Sequence, residues 1–157
     1  MRIGIGYDSH RFVAGRPLIL AGQRVPHSHG LAGHSDADAV AHAIIDALLG
    51  AAGQGDIGTL FPDTDPVWKD ADSMDLLDTV RRRLAAAGFR PRQIDVTVIV
   101  EAPKLGPYKA AMTAALAQRL GLGPTDVGLK AKTNEGMGFV GRGEGIAVIA
   151  VATVDGP

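Results

Sequence analysis

Apolar residues recur along the chain with two periods, and each period predicts its own kind of element. Ile3 and Ile5 alternate with glycine over residues 2–7, the period-two mark of a strand, which then runs into polar Asp8, Ser9 and His10. Residues 17–22 and 24–25 read as short strands around a Gly22-Gln23 turn, and the runs 94–100, 127–132 and 146–154 as longer ones. A helical period begins after Ser35, which forms a capping-box pattern with Asp38; Ala39, Val40, Ala43, Ile44, Ala47 and Leu48 then share a face as far as Gly50. Residues 73–87 predict a second helix, with Met74, Leu76, Leu77, Val80 and Leu84 inward and Gly88 as its stop. Arg81, Arg82 and Arg83 fall in its later turns, where the helix dipole favours cations. Residues 108–120 predict a third, closed by Gly121.

The order β-β-α-α-β-α-β-β places strands at both ends. It predicts an α+β two-layer sandwich: a mixed four-stranded sheet with helices on one face, plus an extra β-hairpin. No period of 20 to 50 residues recurs, which argues against a solenoid. Residues 53–72 are rich in Gly, Asp, Pro and Thr, and a loop of that length inside a compact domain is usually functional.

Composition narrows the possibilities. A length of 157 residues suits one domain over 1–157, and 46% hydrophobic against 21% charged residues excludes a disordered or fibrous chain. A net charge of -1 provides no field to hold a nucleic acid. No apolar run reaches the roughly 18 residues that span a bilayer, and the amino end lacks a signal-peptide pattern, so a cytoplasmic protein bound to no membrane is expected. The absence of cysteine removes disulfides, thiolate metal sites and cysteine nucleophiles, leaving His, Asp and Glu as metal ligands. All five histidines lie between positions 10 and 42, so any imidazole chemistry is concentrated there.

Asp8 and His10 stand two apart at a strand's end and share a face, and His42 lies on the helix that must pack nearby. One carboxylate and two imidazoles with an open fourth position suit a catalytic zinc. The same residues also read as a hydrogen-bonded core histidine beside a turn aspartate, and spacing does not choose between the two. Asp38, His42 and Asp46 recur every four residues, so either Asp is placed to hold the far ring nitrogen of His42. His27 and His29 form a competing pair but follow Pro26 in a turn-like run and read as a solvated loop. His34, next to the Ser35 cap, faces either an anion or nothing beyond the cap.

Residues 136–141 match the dinucleotide fingerprint but precede a strand instead of opening a helix, so the match is accidental. Five glycines between 136 and 145 instead let the backbone pass close to a neighbour or ligand, with Arg142 available to an anion. Residues 130–135 end a strand with cations, a hydroxyl and Glu135, a set suited to a diphosphate and its metal or to a plain exposed strand end.

Several of these words resemble one family. Gly6-Tyr7-Asp8-Ser9-His10-Arg11-Phe12, Gly33 to Asp38 with His42, Gly55 to Gly58, Phe61-Pro62-Asp63, Glu101 to Leu105, Lys130 to Gly138 and Gly141 to Gly145 are similar, in order, to the 2-C-methyl-D-erythritol 2,4-cyclodiphosphate synthases. The resemblance covers nearly the whole chain. It implies a homotrimer with active sites between subunits, in the non-mevalonate route to isoprenoid precursors. The implied reaction is a cyclising phosphorus–oxygen lyase step: the 2-phosphate of 4-diphosphocytidyl-2-C-methyl-D-erythritol 2-phosphate attacks the β-phosphorus, and CMP leaves.

By resemblance, Asp8, His10 and His42 bind Zn2+, Glu135 helps hold Mg2+ or Mn2+ on the diphosphate, and His34 and Thr133 stabilise the transition state. Substrate contacts fall to Asp8, Ser9, His10, His34, Ser35, Asp56, Ile57, Gly58, Phe61, Pro62, Asp63, Thr64, Asp65, Phe139 and Arg142. Val100, Glu101, Ala102, Pro103, Lys104, Leu105, Gly106, Ala131, Lys132 and Thr133 form the cytidine pocket of the adjacent subunit. Arg142 and Glu144 are placed near the threefold axis, where family members have a cavity that accepts isoprenoid diphosphates. Lys132 departs from the more usual threonine. Two other readings stay open: a trimeric metabolite sensor with a structural metal, and a metal-dependent phosphate hydrolase.

Overall fold

The computed structural model describes residues 1–157. Strands β1 (Arg2–Ala14), β5 (Arg90–Ile99), β6 (Val127–Lys132) and β7 (Gly145–Asp155) form the body of the sheet, and β4 (His29–Leu31) extends it. The order is β4-β1-β7-β5-β6, with β5 and β6 parallel and the other pairs antiparallel, so the sheet is mixed as expected but five-stranded instead of four. The added strand exists because β1 is nearly twice as long as its alternation suggests. Beyond Arg11 it leaves β7, and Phe12, Val13 and Ala14 pair with Leu31, Gly30 and His29. His29 therefore sits in a strand rather than a solvated loop, although its side chain stays exposed. Asp8 and His10 lie inside β1, not at its end.

The extra hairpin is present as β2 (Leu18–Leu20) and β3 (Gln23–Val25). Its turn is Ala21-Gly22, one residue earlier than the sequence suggests, with φ of 50° and 72° as a primed hairpin turn requires. Helix α1 (Ala39–Ala52) is buried on almost every side between the sheet and α3 (Ser73–Ala86). It runs past Gly50 and is closed by left-handed Gly53, with Gln54 N–H donating to Leu49 O. The short helix α2 (Ile57–Leu60) and a 3-10 turn (Pro66–Trp68) punctuate the long loop. Helix α4 (Lys109–Leu120) ends at Gly121 as predicted, and α5 (Gly138–Gly141) is one turn before the last strand.

Strand β1 packs on α1 through glycine. A Cβ on Gly4 or Gly6 would overlap the carbonyl oxygens of Ala47 and Ala43, so both positions admit only hydrogen. The partners on α1, Ala43, Ala47 and Ala51, are also small. Even-numbered residues of β1 thus face the helix, and Ile3 and Ile5 face outward at 71% and 70% exposure. No helix is long and apolar enough to cross a membrane.

Candidate active site

Gly6 sets the strand against Ala43, so the next inward residues of β1, Asp8 and His10, meet the start of α1 at His42. Asp8 Oδ2 lies 2.7 Å from His10 Nε2 and 3.3 Å from His42 Nδ1, and the two ring nitrogens are 3.3 Å apart. Three donors on a tetrahedral zinc at its usual bond lengths stand roughly 3.3 Å apart, so the triad has the dimensions of one tetrahedral face. It is the only group of three or more His and carboxylate side chains converging in this way.

Two local features support a cation there. Asp8 Oδ2 is buried and receives no well-directed hydrogen bond despite the nearby ring nitrogens. His10 Nδ1 lies 2.6 Å from Ala32 O, an acceptor only, so that nitrogen carries the ring proton and Nε2 offers a lone pair to the triad. A carboxylate oxygen and an imidazole lone pair facing one point repel unless a positive charge lies between them. Without a metal the site draws protons. Burial alone would depress His10, but Asp8 raises it above its ordinary value; burial would raise Asp8, but His10 and His42 together hold it below. The donor set fits a zinc-type ion.

His10 and His42 open into a cavity of about 410 Å³ bounded by Gly33, His34, Ser35, Ile57, Gly58, Phe61, Pro62, Asp63, Trp68 and Leu76. Two larger hollows, about 570 Å³ each, lie elsewhere and hold no such cluster; in one, Asp78 is already paired with Arg81, and Arg119 with Asp75. His34 is fixed by donation from Nε2 to Asp65 O at 3.0 Å. Its loop is gripped by Arg16, whose guanidinium donates to Gly33 O at 2.8 Å and Ser35 O at 2.5 Å. Trp68 stands edge-on to Phe61, their centroids 4.9 Å apart, and completes a wall for which the sequence analysis names Phe61 but not Trp68.

Asp38 and Asp46 do not hold His42. Asp38 is the N-cap of α1 in place of Ser35, accepting from Val40 and Ala41, and also takes the N–H groups of Ala21 and Gly22. Asp46 accepts from Ile57 N–H at 2.8 Å. The far nitrogen of His42 faces hydroxyls instead: Ser73 Oγ at 2.8 Å and Ser35 Oγ at 3.2 Å. Ser73 comes from the first residue of α3, 31 positions away, and no local pattern points to it. Asp56 and Asp65 cap the short helical turns that follow them.

A second cavity, about 320 Å³, is bounded by Val100, Pro103, Lys104, Leu105, Gly106, Pro107, Lys109, Ala131, Lys132 and Thr133. It shares no lining residue with the first, so His34 and Thr133 border different cavities. Glu101 lies outside the wall, accepting from Asn134 N–H at 2.8 Å, and Glu135 is exposed beside Thr133. Ser9 and Phe139 border a third, small hollow, and Arg142 is paired with Glu144 at 2.8 Å.

A YgbB family model matches residues 1–155. Among curated proteins, a 2-C-methyl-D-erythritol 2,4-cyclodiphosphate synthase from Symbiobacterium thermophilum is 58% identical over 156 residues, 99% of either chain. A solved 2C-methyl-D-erythritol-2,4-cyclodiphosphate synthase with CDP bound superposes with a TM-score of 0.90 at 42% identity, over 98% of this chain and all of that one. The bifunctional IspDF of Campylobacter jejuni gives a TM-score of 0.95 at 43% identity over 99% of this chain, which spans 42% of that larger protein.

Proposed function

This chain belongs to the YgbB family, and from that premise we infer its reaction and the division of labour in its site. It is a 2-C-methyl-D-erythritol 2,4-cyclodiphosphate synthase: it converts 4-diphosphocytidyl-2-C-methyl-D-erythritol 2-phosphate to the 2,4-cyclodiphosphate with release of CMP, in the methylerythritol phosphate pathway. The observation that carries the reading is the Asp8, His10 and His42 cluster, with its undonated buried oxygen, opening into a cavity sized for a small phosphorylated polyol.

We assign Zn2+ to that cluster and Mg2+ or Mn2+ to the substrate diphosphate beside Glu135. Bound there, the metals supply Lewis-acid neutralisation of the phosphoryl oxygens. The chain's own residues do the rest. The attacking phosphate is already anionic at neutral pH, so the reaction needs alignment and charge neutralisation more than a strong base. His34, held through Asp65 O beside the Arg16-braced loop, lines the cavity where the charge develops, and Phe61, Pro62, Trp68 and Ile57 enclose the carbon skeleton and exclude water. The second cavity takes the cytidine, with Lys104, Lys109 and Lys132 supplying cations near its phosphates. Because the two cavities share no wall, the complete site joins one chain's metal cavity to another's nucleotide cavity, which calls for the homotrimer. In that assembly Arg142 and Glu144 lie near the axis, where an isoprenoid diphosphate would sit. A polyanionic substrate does not cross a bilayer unaided, so we assign the enzyme to the cytoplasm.

Phosphorus NMR of the protein with this substrate, zinc and magnesium tests the reading. CMP and a coupled pair of cyclic diphosphate resonances are expected, lost on chelation and in His42→Ala along with bound zinc. Linear phosphates would instead mark a hydrolase, intact substrate with metals bound a sensor, and full turnover by metal-free His42→Ala would overturn the metal assignment.

A further inference from the structure

His42 enters the triad through Nδ1, so to serve as a ligand it must keep its ring proton on Nε2. The surroundings impose that arrangement. Ser73 Oγ lies 2.5 Å from Asp36 Oδ1, and an ionised carboxylate only accepts, so the hydroxyl proton is committed to Asp36. The serine oxygen then has only lone pairs to present to His42 Nε2 at 2.8 Å, and the ring must donate. Ser35 Oγ is the poorer partner at 3.2 Å and already accepts from Ala37 N–H.

The chain of bonds is itself pinned. Ser73 is fully buried, and its backbone N–H donates to Asp36 Oδ2 at 3.2 Å while its hydroxyl serves Oδ1. Asp36 Oδ1 also accepts from Asp38 N–H at 3.1 Å, and Asp36 N–H donates to Ala71 O at 3.0 Å, so the carboxylate cannot swing away without breaking bonds on both sides. Neither residue borders the cavity, and Ser73 reaches the triad only through the far nitrogen of His42.

We propose that Asp36 and Ser73 are positioning residues for the metal centre: through a directed chain of hydrogen bonds they hold His42 in the Nε2–H tautomer, aim Nδ1 into the triad, and so set the affinity for the ion. The proposal rests on the metal reading above. Groups that orient a metal-bound imidazole typically change metal affinity 10- to 100-fold when removed, about 1.4 to 2.7 kcal/mol.

The test uses the full-length protein stripped of metal, titrated with zinc against a chromophoric chelator, as wild type, Ser73→Ala, Ser73→Thr and Asp36→Asn. Long-range nitrogen–proton NMR of the zinc-free protein reads the His42 tautomer independently of activity. Wild type is expected to show the Nε2–H form alone. Ser73→Ala is expected to show mixed tautomers and zinc affinity lower by about 10- to 100-fold, with Asp36→Asn shifted the same way and Ser73→Thr, which restores a hydroxyl, close to wild type. Zinc affinity and tautomer unchanged in both Ser73→Ala and Asp36→Asn would overturn the proposal while leaving the metal reading intact. A wild-type protein that binds no zinc would overturn the metal reading itself, and this proposal with it. Should Ser73→Ala not fold, Asp36→Asn decides the matter alone.

Discussion

Asp38 binds four backbone N–H groups from two places, the first turn of α1 and the Ala21-Gly22 hairpin turn. It thereby fastens the hairpin to the helix that carries His42. Complete burial pushes its carboxyl up to about 6; the N–H groups of Gly22, Ala41 and Ala21 pull the other way, and the charge of Asp36 adds to the rise. The folded protein therefore keeps a proton that the unfolded chain has released, over the window from about pH 4 to about pH 6. Stability from this group is fully present below that window and lost as pH rises through it. Measured against Asp38→Asn, wild type should lose about 3 kcal/mol of unfolding free energy across the window in urea titrations. Parallel curves for the two proteins would show that the carboxylate stays ionised throughout. Asp38→Ala, which leaves the two turns without their acceptor, should be destabilised by about 2 kcal/mol or more at any pH.

At the scale of elements, the contact between β1 and α1 tolerates no side chain at Gly4 or Gly6. Gly6→Ala should lower stability by about 3 kcal/mol, at the upper end for overpacking because the collision is with backbone, and urea denaturation measures it. A loss under about 0.5 kcal/mol would mean that the strand can lift off the helix freely. The helices were readable because their periods and stop glycines are local: Gly88 and Gly121 both adopt positive φ where the sequence ends a helix. The beginning of α1 was misread because Ser35 and Asp38 are both good caps, and contact with the distant hairpin turn decided for Asp38. Strand β4 was invisible for a similar reason, since three residues carry no period and exist as a strand only against the end of β1. At the site, the i, i+2 spacing of Asp8 and His10 fixed their shared face. The partners of His42's far nitrogen lay beyond reach of spacing, because Ser73 arrives from another helix.

The whole chain presents two separate cavities and an exposed apolar stripe of Ile3, Ile5, Tyr7 and Ile149 on the sheet face turned away from the helices. Such a stripe is expected to be covered by like chains. If each complete site draws its metal cavity and its nucleotide cavity from different subunits, two inactive variants should rescue one another. His42→Ala destroys one half; Gly106→Trp fills the other, at a position with open space around it. Random mixed trimers of the two should recover about a quarter of wild-type activity, since a given junction receives both intact halves in about one case in four. No recovery on co-refolding, with mixed trimers verified by mass, would place both halves of the site within one chain.

The bare backbone of β1 at Gly4 and Gly6 also works as a gauge. If the strand slid by one residue against β7, Ile3 and Ile5 would face the carbonyls of Ala47 and Ala43, where not even a methyl group fits. The same slip would turn Asp8 and His10 to the outer face, away from His42. Folding errors that would leave the chain without the Asp8, His10 and His42 cluster are therefore the ones that cannot pack, and a correctly seated sheet certifies the cluster by backbone contact alone.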